Sequence, residues 1–207
     1  MDNTRTQRKK IVLINGRPGV GKDTFMDLCG MVLDIKYKHV KRTKYSVIDP
    51  IKRAARDIGW SGNKTPEERN LLSDLKDFAD AHLNTTRVMT KHFIDMYVYE
   101  AAGDSIMFIC IRESEDAKDI YRLYGNDVLG VYVDGHRAEK PAGNHADNSA
   151  MTWDRDCFPL KVDNNGSLSD LMESAEKLID MIFGSYDGFM PFHDGVSETN
   201  LYRQGYR

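Results

Sequence analysis

The 207-residue chain predicts an α/β fold, a parallel sheet covered by helices on both faces, and three observations carry that expectation. Short apolar runs rich in β-branched residues alternate with segments of helical periodicity, the pattern of buried parallel strands joined by crossover helices. A glycine-rich turn, Gly16-Arg17-Pro18-Gly19-Val20-Gly21-Lys22, joins the first such run to the first helix. Lys22, Asp49, Arg112 and Asp134 all fall at or just after expected strand ends, where ligands bind in open α/β sheets.

The first strand is Ile11-Val12-Leu13-Ile14. From Asp23 onward Phe25, Met26, Leu28, Cys29, Val32 and Leu33 recur at helical spacing. Lys36–Lys44 reads as a polar connection and Tyr45-Ser46-Val47-Ile48 as a short strand. Asp49-Pro50 opens a second helix, with Asp as N-cap and Pro at the first helical position. That helix ends near Gly59, and Trp60 to Lys64 is a loop.

Thr65-Pro66-Glu67-Glu68 has the form of a capping box for a helix running to about His82, whose expected buried residues are Leu71, Leu72, Leu75, Phe78 and Ala79. Another helix is expected over Thr86 to Ala101, broken by Gly103-Asp104. Ile106 to Ile111 is the strongest strand signal, followed by a helix over Glu115–Tyr124 and a strand over Val128–Val133. Phe158 to Val162 is the last strand despite Pro159, and Asp163-Asn164-Asn165-Gly166-Ser167 turns the chain into a helix over Leu168–Phe183.

Residues 1–183 thus read as one domain, with acceptor-side helices over about 49–101 and a polar segment over about 135–156 that has the composition of a lid. Residues 184–207 are rich in Gly and aromatics. They leave open a disordered tail, a docking strap or a subunit contact, a homodimer included.

Bulk properties narrow the partners. A net charge of −3 gives no global basic footprint for a nucleic acid polymer. The three cysteines match no metal spacing, and Cys29 and Cys110 sit in apolar segments as expected for buried, reduced thiols. No apolar run approaches membrane-spanning length and the N-terminus has no secretory signal, so a soluble cytoplasmic protein is expected.

The glycine turn has the spacing G-x-x-x-x-G-K in a strand–turn–helix context, where backbone N–H groups and a helix N-terminus wrap phosphates. Its glycines permit close backbone approach, and Lys22 can reach β/γ-phosphates. The position after the lysine is Asp23, and the hydroxyl follows at Thr24. Two readings of Asp23 stay open, a contact to Mg²⁺ and an acidic first-turn residue favoured by the helix dipole. Phosphoryl transfer calls for positive charge around the moving group. The candidates are Lys22, Arg112, Arg137 and Lys140, with Lys52 and Arg69 as a clamp on the acceptor's phosphate.

Gly19 to Thr24 (Gly-x-Gly-Lys-Asp-Thr) with Ile48-Asp49-Pro50-Ile51-Lys52 resembles the deoxynucleoside monophosphate kinases of bacteriophages and their bacterial relatives. The same loop is similar to that of animal phosphomevalonate kinases. Asp163 to Leu168 is similar to the last-strand turn of nucleoside monophosphate and dephospho-coenzyme A kinases.

The resemblance implies a P-loop NTPase of adenylate-kinase-like architecture, a five-stranded parallel sheet with a lid. It implies ATP and Mg²⁺, with Gly16, Arg17, Gly19, Val20, Gly21, Lys22, Asp23 and Thr24 around the nucleotide, Asp23 and Thr24 near the metal, and Asn164 near the adenine. Asp49, Lys52 and Arg69 would face the acceptor, and Arg112 and Arg137 would neutralise the transferred phosphoryl group.

The chain departs from that pattern in two places. Ile111-Arg112-Glu113 stands where adenylate kinases carry Asp-Gly-x-Pro-Arg, and the lid offers Arg137, Lys140 and Arg155 in place of paired arginines. The expected activity is transfer of the γ-phosphate to a (deoxy)nucleoside monophosphate. The alternatives are a non-nucleotide phosphate acceptor, or a nucleotide-binding switch. Against the switch, no Asn-Lys-x-Asp motif occurs and no acidic pair closes the strongest strand.

Overall fold

In a computed structural model, which describes residues 7–63, 65–136, 150 and 152–184, five strands form one parallel sheet in the order β2-β3-β1-β4-β5. The strands are β1 Lys9–Asn15, β2 Lys41–Ser46, β3 Ser105–Cys110, β4 Val128–Asp134 and β5 Leu160–Asp163. Among the described residues six α-helices accompany them: α1 Lys22–Lys36, α2 Asp49–Asp57, α3 Pro66–Leu83, α4 Thr85–Ile94, α5 Ser114–Tyr124 and α6 Leu168–Phe183.

β1 is buried on both faces, so its successive side chains enter two separate cores. Val12 and Ile14 pack with Ile106, Phe108, Val131 and Val133 beneath α1 and α6. Ile11 and Leu13 pack with Met107 and Ile109 beneath α4 and α5, where Ile94, Ala117 and Ile120 close the layer. Helices on both faces, a parallel sheet and the α/β class agree with the sequence expectation.

The chain leaves β1 toward β2 on one side and leaves β4 toward β5 on the other. The crevice outside the carboxyl ends of β1 and β4 is therefore the switch point at which such sheets take ligands. The glycine turn occupies it.

Several elements differ from expectation. β2 begins at Lys41, inside the segment read as a connection, and ends at Ser46. It is an edge strand, with one row of backbone groups unpaired by the sheet, so its outer residues are charged instead of apolar. Arg42 and Lys44 pair with Asp34 and Asp27 of α1.

Asp49 is the first residue of α2 and not its N-cap; Ile48 holds that position, and Asp49 Oδ2 accepts from Ser46 N at 3.0 Å. Thr65 does cap α3, its hydroxyl accepting from Glu68 N at 3.3 Å, while the Glu68 carboxylate accepts from Ser61 Oγ.

The larger correction concerns the face of α3. Phe78 is 65% exposed and Leu71 is also exposed, Leu72, Leu75 and Ala79 are half-buried, and the residues this helix buries most deeply are Ser73 and Lys76. α4 ends at Ile94 and continues as a π-turn over Asp95–Tyr99. α6 begins with a capping box of Ser167 and Asp170 that the sequence reading passed over.

All three cysteines are reduced, and burial pushes the Cys29 thiol up to about 12. Among the described residues no helix is long and apolar enough to cross a membrane. The lid expected over 135–156 lies largely outside the described residues, and the tail lies outside them apart from Gly184.

Gly130 of β4 packs against the turn before β5, and a Cβ there would lie 1.9 Å from Cys157 O and 2.8 Å from the Tyr121 hydroxyl. Gly130→Ala is expected to cost about 2 kcal/mol by overpacking and to lower the melting temperature by about 4–8 °C. Thermal unfolding followed by circular dichroism checks this, and an unchanged midpoint would contradict the packing.

Candidate active site

β1 runs into the glycine turn through Asn15, whose buried side chain donates to Ile111 O (3.1 Å) and Arg112 O (3.0 Å). That residue ties the turn after β3 to the turn after β1, and the sequence reading missed it. Gly16 has φ +140° and lies against β4 so closely that a Cβ would stand 2.3 Å from Val133 O. Gly21 has φ +95° and caps α1 without a side chain, so the N–H groups of the first turn face the loop.

Lys22 is buried, and its ammonium folds over the loop to donate to Gly16 O at 2.6 Å and Arg17 O at 2.8 Å. Such a loop presents backbone N–H groups, a helix N-terminus and one ammonium to a single volume, the combination that binds a chain of phosphates. Asp23 and Thr24 follow on the exposed side of the first turn. They supply two hard oxygen donors, the kind Mg²⁺ takes together with phosphate oxygens and water. Among the described residues no cluster of three or more metal-ligating side chains occurs, so the protein offers no all-protein metal cage there.

The ends of β4 and β5 wall the loop on one side. Arg17 donates to Gly135 O at 2.8 Å and lies 3.6 Å from Asp134, which also pairs with Lys161 at 2.8 Å. The Lys161 hydrogen bond, opposed by partial burial and aided by its charge and that of Arg17, holds the Asp134 carboxyl below the usual carboxylate range. Asn164 closes the wall, donating from its backbone to Asp134 O (2.7 Å) and from Nδ2 to Val20 O (2.9 Å).

On the other side stand the ends of β2 and β3. Lys52 lies 3.3 Å from Asp49, and Arg112 is half-buried just past β3. The Cys110 thiol, raised first by burial, is pulled back by the charges of Lys22, Arg112 and Lys52 and raised again by Asp23. Lys22 and Asp23 follow β1, Lys52 lies in the helix after β2 and Arg112 follows β3, so all four come from connections at the carboxyl edge of the sheet.

Arg69 is half-buried in the first turn of α3. Arg137 and Lys140 lie outside the described residues. Tyr99 bonds Asp127 at 2.9 Å and takes a bond from Lys9 at the amino end of the sheet, opposite the site. Tyr97 is stacked on Phe93.

The sequence reading also missed a buried cluster behind Arg112. Lys76 of α3 lies 3.1 Å from Asp80, 3.3 Å from Glu113 and 3.4 Å from Asp116. A Ser73–Lys76–Asp80 stripe is visible in the sequence at helical spacing, but the leucines of the same helix compete with it.

Comparison with known proteins places this geometry. No family model and no curated protein matches the chain. A crystal structure from Chloroflexus aurantiacus, described provisionally as a kinase, overlays with a TM-score of 0.51 at 14% identity, covering 86% of this chain and 100% of that one. The likeness is one of fold, a parallel sheet covered by helices on both faces.

Looser overlays within this fold include thymidylate kinase of Candida albicans (TM-score 0.48, 11% identity, 86% and 93% covered). Shikimate kinase of Acinetobacter baumannii is another (0.43, 12%, 84% and 92%). A shared fold does not by itself set a function, which is read from the side chains grafted on it.

The Asp134 pairing gives a test of the wall. A carboxyl that titrates below its ordinary value stabilises the fold above about pH 4, and that contribution fades as pH falls through the folded value. Asp134→Asn is expected to lose about 0.5–1 kcal/mol at neutral pH and to match the wild type at strongly acid pH, as measured by urea unfolding. An equal deficit at both pH values would show that the ion pairs are not its source.

Proposed function

We propose that the chain is an ATP-dependent small-molecule kinase that transfers the γ-phosphate to a (deoxy)nucleoside monophosphate. The observation that carries this reading is the glycine loop at the sheet's switch point, with the Lys22 ammonium folded over it to Gly16 O at 2.6 Å and Arg17 O at 2.8 Å.

In this reading Gly16, Arg17, Gly19, Val20, Gly21 and Lys22 hold the phosphates of ATP, and Asn164 lies by the adenine. An oxygen of the acceptor's phosphate attacks the γ-phosphorus in line, and the bond to the β–γ bridging oxygen breaks to release ADP. Little covalent chemistry is asked of the protein; positioning and charge carry the rate. Lys22 follows the β/γ-phosphates. Arg112, joined by Arg137 from the segment after β4, neutralises the moving phosphoryl group. Asp49, Lys52 and Arg69 orient the acceptor, the two cations taking its phosphate. Asp23 or Thr24 would hold Mg²⁺, which would supply charge neutralisation.

Acceptor identity is read from ADP release with Mg-ATP and single ribo- and deoxynucleoside monophosphates. Strong stimulation by one or two of them is expected. Stimulation by none, with ATP bound, would sink the nucleotide acceptor. Lys22→Ala is expected to lower turnover by about 10²–10³-fold or more with the melting temperature within a few degrees of wild type. Turnover near the wild-type rate would remove the loop from the mechanism.

A further inference from the structure

Burying a lysine is costly unless its charge is met by close partners. Lys76 is 6% exposed, and it is one of only two residues that α3 buries although the helix carries Leu71 and Phe78 on its outer side. Its ammonium is met by three carboxylates that belong to different elements. Asp80 is one turn on in α3, Glu113 lies in the turn after β3, and Asp116 is in the first turn of α5. Three carboxylates from three elements converge on that one ammonium. Burial, opposed by Lys76 and reinforced by Glu113, pushes the Asp116 carboxyl up to about 6.

The cluster extends in two directions. Asp80 also accepts from Thr86 at the start of α4, from its backbone at 2.6 Å and its hydroxyl at 2.7 Å. Glu113 occupies the N-cap position of α5 but makes no side-chain cap there; its carboxylate turns to Lys76 instead. Its neighbour in sequence is Arg112, whose carbonyl is held from the other side by Asn15 at 3.0 Å. The backbone that carries Arg112 is therefore pinned twice, by β1 at the phosphate loop and by α3.

We propose that Lys76 is a positioning residue that, through Glu113, docks α3 and α4 against the turn bearing Arg112 and so sets that arginine for the transferring phosphoryl group. The proposal rests on the kinase reading for its catalytic consequence, and on the Lys76 cluster alone for the docking. Reaction rates are sensitive to such placement, because a displacement of about 1 Å far from the chemistry costs on the order of 10²-fold.

The test compares Lys76→Met, which keeps length and burial but removes the charge, with Lys76→Arg and Glu113→Gln. Gly130→Ala, remote from the cluster, is the control for lost stability. With the best nucleotide acceptor, Lys76→Met is expected to lose kcat by about 30–100-fold while KM for Mg-ATP stays within about twofold. Lys76→Arg should recover most of kcat, and Glu113→Gln should show the same split with a smaller loss.

Wild-type kcat in Lys76→Met, or a loss no larger than that of Gly130→Ala, would overturn the proposal. Hydrogen exchange on the same variants separates this proposal from the kinase reading. If the wild type phosphorylates nothing, the kinase reading fails alone, and joint loss of protection at 66–83 and 111–116 in Lys76→Met still supports the docking. Loss confined to α3 overturns it.

Discussion

The carbonyl oxygen of Val133 stands 2.3 Å from where a side chain on residue 16 would begin, and the carboxyl edge of the sheet depends on residue 16 having none. Because β1 is paired on both sides and buried on both faces, its exit is confined to the gap between β4 and α1. Only a glycine at φ +140° can turn there. That turn brings the loop's N–H groups and Lys22 into the crevice, and Asn164 then fills the space beside Gly21. Nucleotide binding, in this account, is a consequence of how a central strand leaves a crowded sheet.

Charge is partitioned about that edge. Lys22, Lys52 and Arg112 come from the connections after β1, β2 and β3, while Glu113, Asp116 and Asp80 converge on the ammonium of Lys76. Pairing Glu113 with the buried Lys76 ties α3 to the turn after β3.

The fold class was legible because β1, β3 and β4 are short runs of Ile, Val, Leu and Phe buried on both faces, which leaves little ambiguity in the pattern. The glycine loop was legible for a related reason, since its residue types are forced by backbone geometry. β2 was half hidden, as an edge strand carries Lys and Arg where a central strand would carry Val.

The face of α3 was misread because two helical stripes coexist, and burial went to Ser73 and Lys76 where periodicity favoured Leu71 and Phe78. The partners that decide this, Glu113 and Asp116, lie 37 and more residues away in sequence, and no local pattern reports them. Asn15 was missed in the same way, its two acceptors being reached only across the sheet.

The central claim is that the loop after β1 binds the phosphates of a nucleotide through Lys22. Isothermal titration of Mg-ATP into the wild-type chain and into Lys22→Ala tests it without any acceptor present. The account expects saturable single-site binding to the wild type, weakened at least about tenfold in the variant by loss of a charge-assisted contact. Equal affinity in the two proteins, or no saturable binding to either, would contradict it.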